Sequence, residues 1–334
     1  MQRIADVDLL VLPVAGGTCA PLSLPDVLGV KTTVIPVAGR RDTAFELLSR
    51  LADAPLRLDA FRRYGRSSMA AQLSMPVLAD VAAFAAGRRY DLVHVGRAYM
   101  AEAGLRVPGR PLLSVDIDEN NALAWRSLAA LRKRAGSPQA ALFAEAEAEA
   151  HAREMRAYLP RYDAHFACSS AEAQSVGSWL AGRHAVVIPN TASVPNLQHR
   201  YDDGRTLVFV GTLGYEPNVE GLDWFARQVW PTVLAKARRA PRLLIAGSGG
   251  HKTIDRMSGR PGIQVIGAVV DVGSVYGRAT IAIAPIRAGG GTRIKIVEAA
   301  LARIPVVATS FAAAGLPLSD RRDLWLADDA PGIR

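Results

Sequence analysis

A glycine-rich turn stands between an apolar run and an amphipathic helical segment in the last third of the chain. The turn consists of Gly289, Gly290 and Gly291. Because glycine lacks a Cβ atom, such a turn lets the backbone approach a ligand closely. Thr292 is predicted to cap the helix that follows, which directs the free N–H groups of the first helical turn towards the glycines. Arg293 and Lys295 add positive charge there, against the helix dipole. The pattern predicts a phosphate or diphosphate site, with packing of a strand against a helix as the alternative reason for the turn.

Short apolar runs alternate with helical segments along the chain and must position this turn. The runs cover residues 7–14, 32–37, 91–95, 111–117, 164–168, 185–190, 206–211, 241–247, 263–267, 281–285 and 305–309. They are rich in Val, Ile and Leu and show little alternation, which is typical of parallel strands covered on both faces. Since the theme occurs in both halves of the chain, we expect an α/β protein with two doubly wound Rossmann-like domains.

The segment 190–204 is rich in Pro, Asn, Asp and Gly and has no periodicity, which indicates a linker. We therefore place the domains at 1–195 and 196–334. The first apolar run begins near the N-terminus, and no helical pattern follows the last apolar segment, residues 324–329. We therefore expect part of the usual scaffold to be missing. Segment 140–159 is a helix whose acids we interpret as a solvated face; they are Glu145, Glu147, Glu149 and Glu154.

Composition narrows the class of protein. A chain of 334 residues, half of them hydrophobic, is long enough for two domains. No apolar run reaches the ~18 residues that span a bilayer, and the N-terminus lacks the form of a signal peptide. Cys19 and Cys168 are too few for a disulfide framework, which fits a cytoplasmic protein.

Net charge points to anionic partners. Lys and Arg number 40 against 31 Asp and Glu, a difference of 40 − 31 = +9. Nucleic acid is disfavoured, because the Arg residues are dispersed and no aromatic-basic signature is present. The Arg-rich segments 62–66 and 126–134 could contact the inner face of an anionic membrane peripherally, although a solvated helix face explains them more simply.

The chain resembles the family-4-like retaining glycosyltransferases (group 1), which have two Rossmann-like domains facing a cleft, the GT-B fold. The resemblance lies in segments 208–225, 243–249, 265–309 and 311–316, and more loosely in 90–95, 114–125 and 165–173. Within this family, the chain is similar to bacterial polysaccharide and exosortase-associated sugar transferases.

This resemblance implies a nucleoside-diphosphate sugar bound by the second domain and an acceptor held by the first. Glu298 matches the glutamate that hydrogen-bonds the donor ribose. Gly211 matches the strand–turn that approaches the diphosphate, and Thr212 and Asn218 line the loop after it.

The chain departs from the family pattern at several positions. Many relatives have a second glutamate where this chain has Gly290, and the loop after Gly211 lacks the usual Arg and Lys. The charge of the diphosphate is then expected to meet Arg293, Lys295 and, as an open alternative to a surface role, Arg287.

Two features of the first half leave alternatives open. Relatives often carry a His-x-His pair after the strand 91–95, whereas here only His94 is present; it could position a sugar or serve as a hydrogen-bonded strand residue. Asp116, Asp118 and Glu119 follow a predicted strand and could hold Mg²⁺ or Mn²⁺. Because the diphosphate signals lie far along the chain, we favour an acid cluster without a metal.

The resemblance therefore implies transfer of a sugar, with retention and without metal or other cofactor, to a glycan or lipid-linked acceptor. His94, Arg293 and Lys295 are the candidate catalytic residues. The alternatives are a truncated or degenerate protein that binds the nucleotide sugar without turnover, and a GT-B-fold sugar-nucleotide epimerase.

Overall fold

The structure is a computed structural model that describes residues 5–14, 30–194 and 203–329. Contacts divide the chain into two compact units: the first comprises residues 1–167 and 172–187, the second 168–171 and 188–334. Cys19 lies outside the described residues.

Twelve strands are present in the described residues. They are β1 Asp8–Val11, β2 Lys31–Val34, β3 Leu92–Gly96, β4 Leu112–Asp116, β5 Ala164–Ala167, β6 Ala185–Val187, β7 Thr206–Val210, β8 Arg242–Ala246, β9 Ile263–Gly267, β10 Ile281–Ala284, β11 Val306–Ala308 and β12 Trp325–Leu326. Eleven of them fall on the eleven apolar runs, so the strand predictions are confirmed.

The α-helices of the same residues alternate with these strands. They are α1 Thr43–Ser49, α2 Ala54–Tyr64, α3 Met75–Ala85, α4 Ala101–Gly104, α5 Asn121–Arg134, α6 Pro138–Tyr158, α7 Ser170–Val176, α8 Glu216–Trp224, α9 Trp230–Lys236, α10 Lys252–Asp255, α11 Gly273–Tyr276, α12 Ile294–Leu301 and α13 Ser310–Ala313. A single π-helical turn, Phe225–Val229, joins α8 to α9.

The described strands of the first unit form two parallel sheets. One pairs β1 with β2, and the other has the order β3-β4-β5-β6. Buried side chains gather in three clusters around these sheets and helices, with Tyr162, Leu73 and Phe61 among their members.

The second unit is one parallel sheet of six strands in the order β12-β11-β10-β7-β8-β9. The chain starts at β7, adds β8 and β9 on one side, and then crosses to β10, β11 and β12 on the other. One hydrophobic core holds the unit together, and its largest members include Trp230, Phe209 and Tyr276. Parallel strands alternating with helices confirm the predicted α/β class.

The solvated face predicted for α6 is wrong at two of its four acids. Glu145 and Glu149 are exposed, but Glu147 and Glu154 are buried. The carboxylate of Glu154 accepts hydrogen bonds from the N–H (2.7 Å) and the hydroxyl (2.8 Å) of Ser67. Glu147 accepts from the N–H of Ser68 at 3.0 Å. These two acids anchor the loop after α2, and burial raises the pKa of Glu154 to about 7.

The basic segment around residues 62–66 is also partly internal. Arg66 donates to the carboxylate of Glu102 at 2.7 Å and to the carbonyls of Ala70 and Leu73. The guanidinium of Arg66 is therefore hydrogen-bonded within the first unit. The prediction of a solvated or membrane-facing surface is wrong for this residue.

Candidate functional site

The predicted donor residues of the second unit meet where its strand order reverses. β7 lies between β8 and β10, and the loops that follow β7 and β10 leave the same carboxyl edge of the sheet. In open parallel sheets, ligands bind in the crevice at such a switch point. Gly211 and Thr212 begin the loop after β7, and the three glycines lie in the loop after β10.

Glycine is required where the loops after β7 and β8 meet. A Cβ atom on Gly247, which has a φ of +153°, would lie 1.7 Å from the carbonyl oxygen of Gly211. A Cβ atom on Gly211 would lie 3.0 Å from Asn218 Nδ2 and 3.3 Å from Lys295 Cε. The backbone at Gly211 is thus packed directly against the polar side chains of the site.

Asn218 connects the loop after β7 to the first turn of α12. Its Nδ2 donates to the carbonyl of Thr212 at 2.9 Å, and its Oδ1 accepts from Nζ of Lys295 at 3.0 Å. Asn218 is buried and lies at the start of α8. One amide therefore fixes both the loop and the ammonium group.

Lys295 carries a positive charge in a poorly hydrated place. Its Nζ lies 4.9 Å from the centre of the Phe209 ring, in a cation–π contact. Burial lowers the pKa of Lys295 to about 8, and the positive charge of Arg293 acts in the same direction, while Glu298 opposes them. A charge that its surroundings hydrate poorly gains from the arrival of an anion.

Glu298 lies one helical turn after Lys295 and is held by a residue that the sequence did not single out. The hydroxyl of Tyr276 is 3.0 Å from Oε2 of Glu298 and 3.3 Å from the carbonyl of Lys295. Tyr276 comes from the short helix α11 and is buried, whereas Glu298 is partly exposed. No spacing rule in the sequence connects residues 276 and 298.

The capping role predicted for Thr292 is wrong. Helix α12 begins at Ile294, the N-cap position is occupied by Arg293, and no side chain caps the helix. The N–H groups of the first turn therefore have no side-chain cap, as an anion site at a helix N-terminus requires. Thr292 is partly buried in the loop before the helix.

Arg293 turns back on the glycine turn. Its Nη1 donates to the carbonyls of Gly290 and Gly291, and its guanidinium lies 5.4 Å from the centre of the Phe311 ring. Gly289 and Gly291 have φ values of +105° and +68°, which favour glycine. A Cβ atom on Gly289 would lie 2.9 Å from the Tyr215 hydroxyl and 3.3 Å from Cγ of Pro217, so the turn packs closely against the residues that follow β7.

Arg287 has a structural partner. Its guanidinium forms an ion pair with Glu220 and lies 4.8 Å from the centre of the Trp224 ring, both on α8. The pair joins the loop after β10 to α8. Of the two roles considered for Arg287, contact with a diphosphate therefore has the weaker support.

His94 lies in the first unit, on β3. Its Nδ1 is 3.0 Å from the hydroxyl of Ser114 on β4, and its ring packs 6.0 Å from that of Phe166 on β5. His94 is exposed, although β3 pairs with β4 without interruption from Leu92 to Gly96. The structure thus shows the hydrogen-bonded strand residue, which leaves the predicted sugar-positioning role open.

The acids after β4 are engaged with neighbouring residues. Asp118, with a φ of +55°, forms an ion pair with Arg97, whose own φ is +115°. Oδ1 of Asp116 accepts from the N–H of Asp118 at 3.0 Å. Across residues 5–14, 30–194 and 203–329, no group of three or more His, Cys, Asp or Glu side chains could hold a metal ion.

Comparison with known proteins gives the second unit a family. The family model of glycosyl transferases group 1 matches residues 204–332. These residues form a glycosyl transferase group 1 domain. The predicted resemblance to group 1 glycosyltransferases is thereby confirmed for the residues that carry the switch-point site. None of the curated proteins compared with the chain matches it in sequence.

Solved structures extend the comparison beyond the glycosyl transferase group 1 domain. A TarM variant of S. aureus in complex with UDP, fondaparinux and α-GlcNAc-glycerol is 11% identical, with a TM-score of 0.58 over 77% of this chain and 50% of that one. HepE of Anabaena, in complex with UDP and glucose, is 15% identical, with a TM-score of 0.56 over 96% and 78%. Sucrose-phosphate synthase of Thermosynechococcus elongatus is 16% identical, with a TM-score of 0.53 over 90% and 69%.

These sequence identities are too low to transfer an activity. The structural similarity shows the GT-B fold that the sequence predicted. The chain spans about half the length of the TarM structures, 49% and 50%. Within the described residues, no helix has the length and apolar composition needed to cross a bilayer.

Proposed function

We propose that this chain is a retaining, metal-independent glycosyltransferase that moves a sugar from a nucleoside diphosphate to a glycan or lipid-linked acceptor. One observation carries the proposal. At the switch point of a glycosyl transferase group 1 domain, Lys295 is held by Asn218, is poorly hydrated, and lies one turn before a carboxylate, Glu298. A cation beside a carboxylate suits a diphosphate joined to a ribose.

The proposed mechanism is electrostatic. As the bond between sugar and phosphate breaks, the leaving diphosphate gains negative charge, and preorganised donors stabilise the transition state more than the ground state. Lys295 and the N–H groups at the start of α12 supply this stabilisation, with Arg293 nearby. Positive charge supplied by the chain takes the place of a divalent cation. The donor phosphate accepts the proton of the acceptor hydroxyl, as the family resemblance implies for retention.

The proposal also covers the acceptor, the donor nucleotide and the membrane. We assign the acceptor to the first unit, where His94 is exposed at the sheet surface. The TarM variant and HepE structures are both complexes with UDP, which makes UDP the first donor nucleotide to test. A lipid-linked acceptor would bring the basic chain to the inner face of an anionic membrane.

Two alternatives remain as competing proposals. Binding without turnover is favoured by Gly290, which stands where many relatives carry a carboxylate near the sugar. An epimerase would need acid and base groups around the sugar, and segment 286–293 contains neither a carboxylate nor a histidine. Measurements of binding and of turnover separate these possibilities.

The first experiment is thermal melting of the purified chain with UDP, GDP, ADP, CDP and TDP, each with and without Mg²⁺. A ligand at about a hundred times its dissociation constant adds roughly 2.7 kcal/mol of stability, which raises the melting temperature by several degrees. Stabilisation by a diphosphate without Mg²⁺ supports the proposal. The absence of stabilisation by all five contradicts it.

Three variants then locate the site. Arg293→Ala and Glu298→Ala should each weaken binding of the stabilising diphosphate. Arg287→Ala is the matched control, because it removes a guanidinium of the same loop that is committed to Glu220. Unchanged affinity in the first two variants would refute the site assignment. If the wild-type chain binds the donor but neither transfers nor hydrolyses it, the binding protein without turnover is the better proposal.

A further inference from the structure

Tyr276 places a phenol inside the second unit next to a carboxylate that reaches the surface. The residue is 1% exposed, and its hydroxyl lies 3.0 Å from Oε2 of Glu298. The carbonyl of Lys295 is the second acceptor, at 3.3 Å. The hydroxyl thus contacts both ends of the helical turn that carries Lys295 and Glu298.

The direction of this hydrogen bond is determined by its surroundings. Burial raises the pKa of Tyr276, and the neighbouring carboxylate of Glu298 raises it further. The phenol therefore keeps its proton and donates it. Because the donor is buried, it holds Oε2 of Glu298 in one place.

Fixing one carboxylate oxygen has a consequence for ligand binding. A free glutamate loses side-chain entropy when it orients towards a ligand, and a glutamate already held by a neighbour loses less. A carboxylate that is already held in place can accept hydrogen bonds from both hydroxyls of a vicinal diol. A ligand that lacks one of these hydroxyls leaves the carboxylate without one of its donors.

We propose that Tyr276 is a positioning residue, which acts through Glu298 to make the site select ribonucleoside diphosphates over their 2′-deoxy counterparts. This inference rests on the proposed function, in which Glu298 binds the donor ribose. Tyr276 does not touch the nucleotide; it holds the group that does.

The test compares affinities by titration calorimetry. UDP, GDP, ADP and CDP are each measured against their 2′-deoxy counterparts with the wild-type chain and with Tyr276→Phe, which keeps the ring and removes the hydroxyl. Tyr162→Phe is the matched control, because Tyr162 is also fully buried and its hydroxyl donates to the carbonyl of Ala101 at 2.6 Å in the first unit. This control reports what the loss of a buried hydroxyl does to stability alone.

We expect Tyr276→Phe to weaken the ribonucleotide by up to about tenfold, the scale of the entropy lost when one free side chain is oriented, and to change the 2′-deoxy affinity far less. The ratio of the two affinities should therefore fall, while Tyr162→Phe leaves it unchanged. In a Glu298→Ala background, the same ratio should no longer respond to Tyr276→Phe, because the group through which Tyr276 acts is gone.

Each other result decides against the inference. If the wild-type chain binds a ribonucleotide and Glu298→Ala weakens it, but Tyr276→Phe leaves the ratio unchanged, the role of Tyr276 is refuted and the proposed function stands. Preference for TDP over UDP contradicts selection of the 2′-hydroxyl. If no diphosphate binds the wild-type chain, the proposed function fails and the inference fails with it.

Discussion

Raising the pH from 7 to 9 should weaken diphosphate binding through the ammonium of Lys295. The pKa of this group is lowered to about 8, because the folded chain hydrates it poorly and Arg293 repels it. At pH 7 about nine tenths of the free protein carries the charge, and at pH 9 about one tenth does. A bound diphosphate supplies at least two negative charges, which we expect to return the pKa of Lys295 to at least its usual value.

The size of the effect follows from these two pKa values. If only the charged form binds strongly, affinity falls about tenfold between pH 7 and pH 9, equivalent to about 1.4 kcal/mol. The sign is determined by the lowered pKa, since binding takes up a proton, and proton uptake becomes harder as the pH rises. Below pH 7 the affinity should depend little on this group.

Calorimetric titrations of the wild-type chain, Lys295→Arg and Lys295→Met measure the effect. Arginine stays charged over the whole range, so the affinity of Lys295→Arg should not follow the fall, and any titration of the ligand itself appears in both proteins. Lys295→Met should bind weakly at every pH. Lys236→Arg, at an exposed lysine of α9, is the matched control and should keep the wild-type profile. A wild-type affinity that is flat from pH 7 to 9, or an equal fall in Lys295→Arg, would refute the reasoning.

Two further predictions concern the two units separately. Glu154→Gln should raise the free energy of unfolding at pH 8 by up to about 3 kcal/mol and change it little at pH 5, as measured by urea unfolding. Glu149→Gln, at an exposed acid of the same helix, is its control and should have no such effect. Gly211→Ala should abolish diphosphate binding with a smaller loss of stability, because its Cβ atom would crowd Asn218 and Lys295. In Gly214→Ala the nearest atom to the new Cβ lies 3.7 Å away, so melting with the diphosphate should show a normal shift.

The sign of the Glu154 prediction follows from its raised pKa. The carboxyl group titrates at about 7 in the folded chain against 4.5 in the unfolded chain, so the folded state binds more protons in between and loses stability as the pH rises through this window. Nδ1 of His151 lies 3.6 Å from Oε2 of Glu154, and burial lowers the pKa of His151 to about 4. The stability contributed by His151 therefore changes in the opposite direction and falls as the pH drops below 6.5. The difference between wild type and Glu154→Gln isolates the carboxyl group, and an unchanged or lower stability of the variant at pH 8 would contradict the prediction.

Local sequence patterns were sufficient for the strands and for the second domain's family. Each buried parallel strand is a short apolar run, and that property is visible without knowing its neighbours. The glycine-rich turn and the helix after it were placed correctly because they are contiguous in sequence. Thr292 failed as a cap because helix ends depend on geometry over one or two residues, which side-chain preferences determine poorly.

The acids of α6 show why other assignments failed. Glu145, Glu147, Glu149 and Glu154 are of one chemical type on one helix, and the pattern suggested a solvated face for all of them. Whether such an acid is buried depends on a partner that offers it hydrogen bonds, and Ser67 and Ser68 lie 79 to 87 residues away. A buried carboxylate with two such donors is tolerable, while the same residue without them is not.

The sequence by itself determined the residue types of the candidate site and the α/β elements that carry them, because both are local properties of the chain. Only the tertiary structure decided which groups meet. It brings Asn218 to Lys295 across 77 residues and Tyr276 to Glu298 across 22, and it commits Arg287 to Glu220. The reversal of strand order at β7 and β10 makes these distant loops neighbours, and a lysine acquires its lowered pKa only from the groups that this arrangement packs around it.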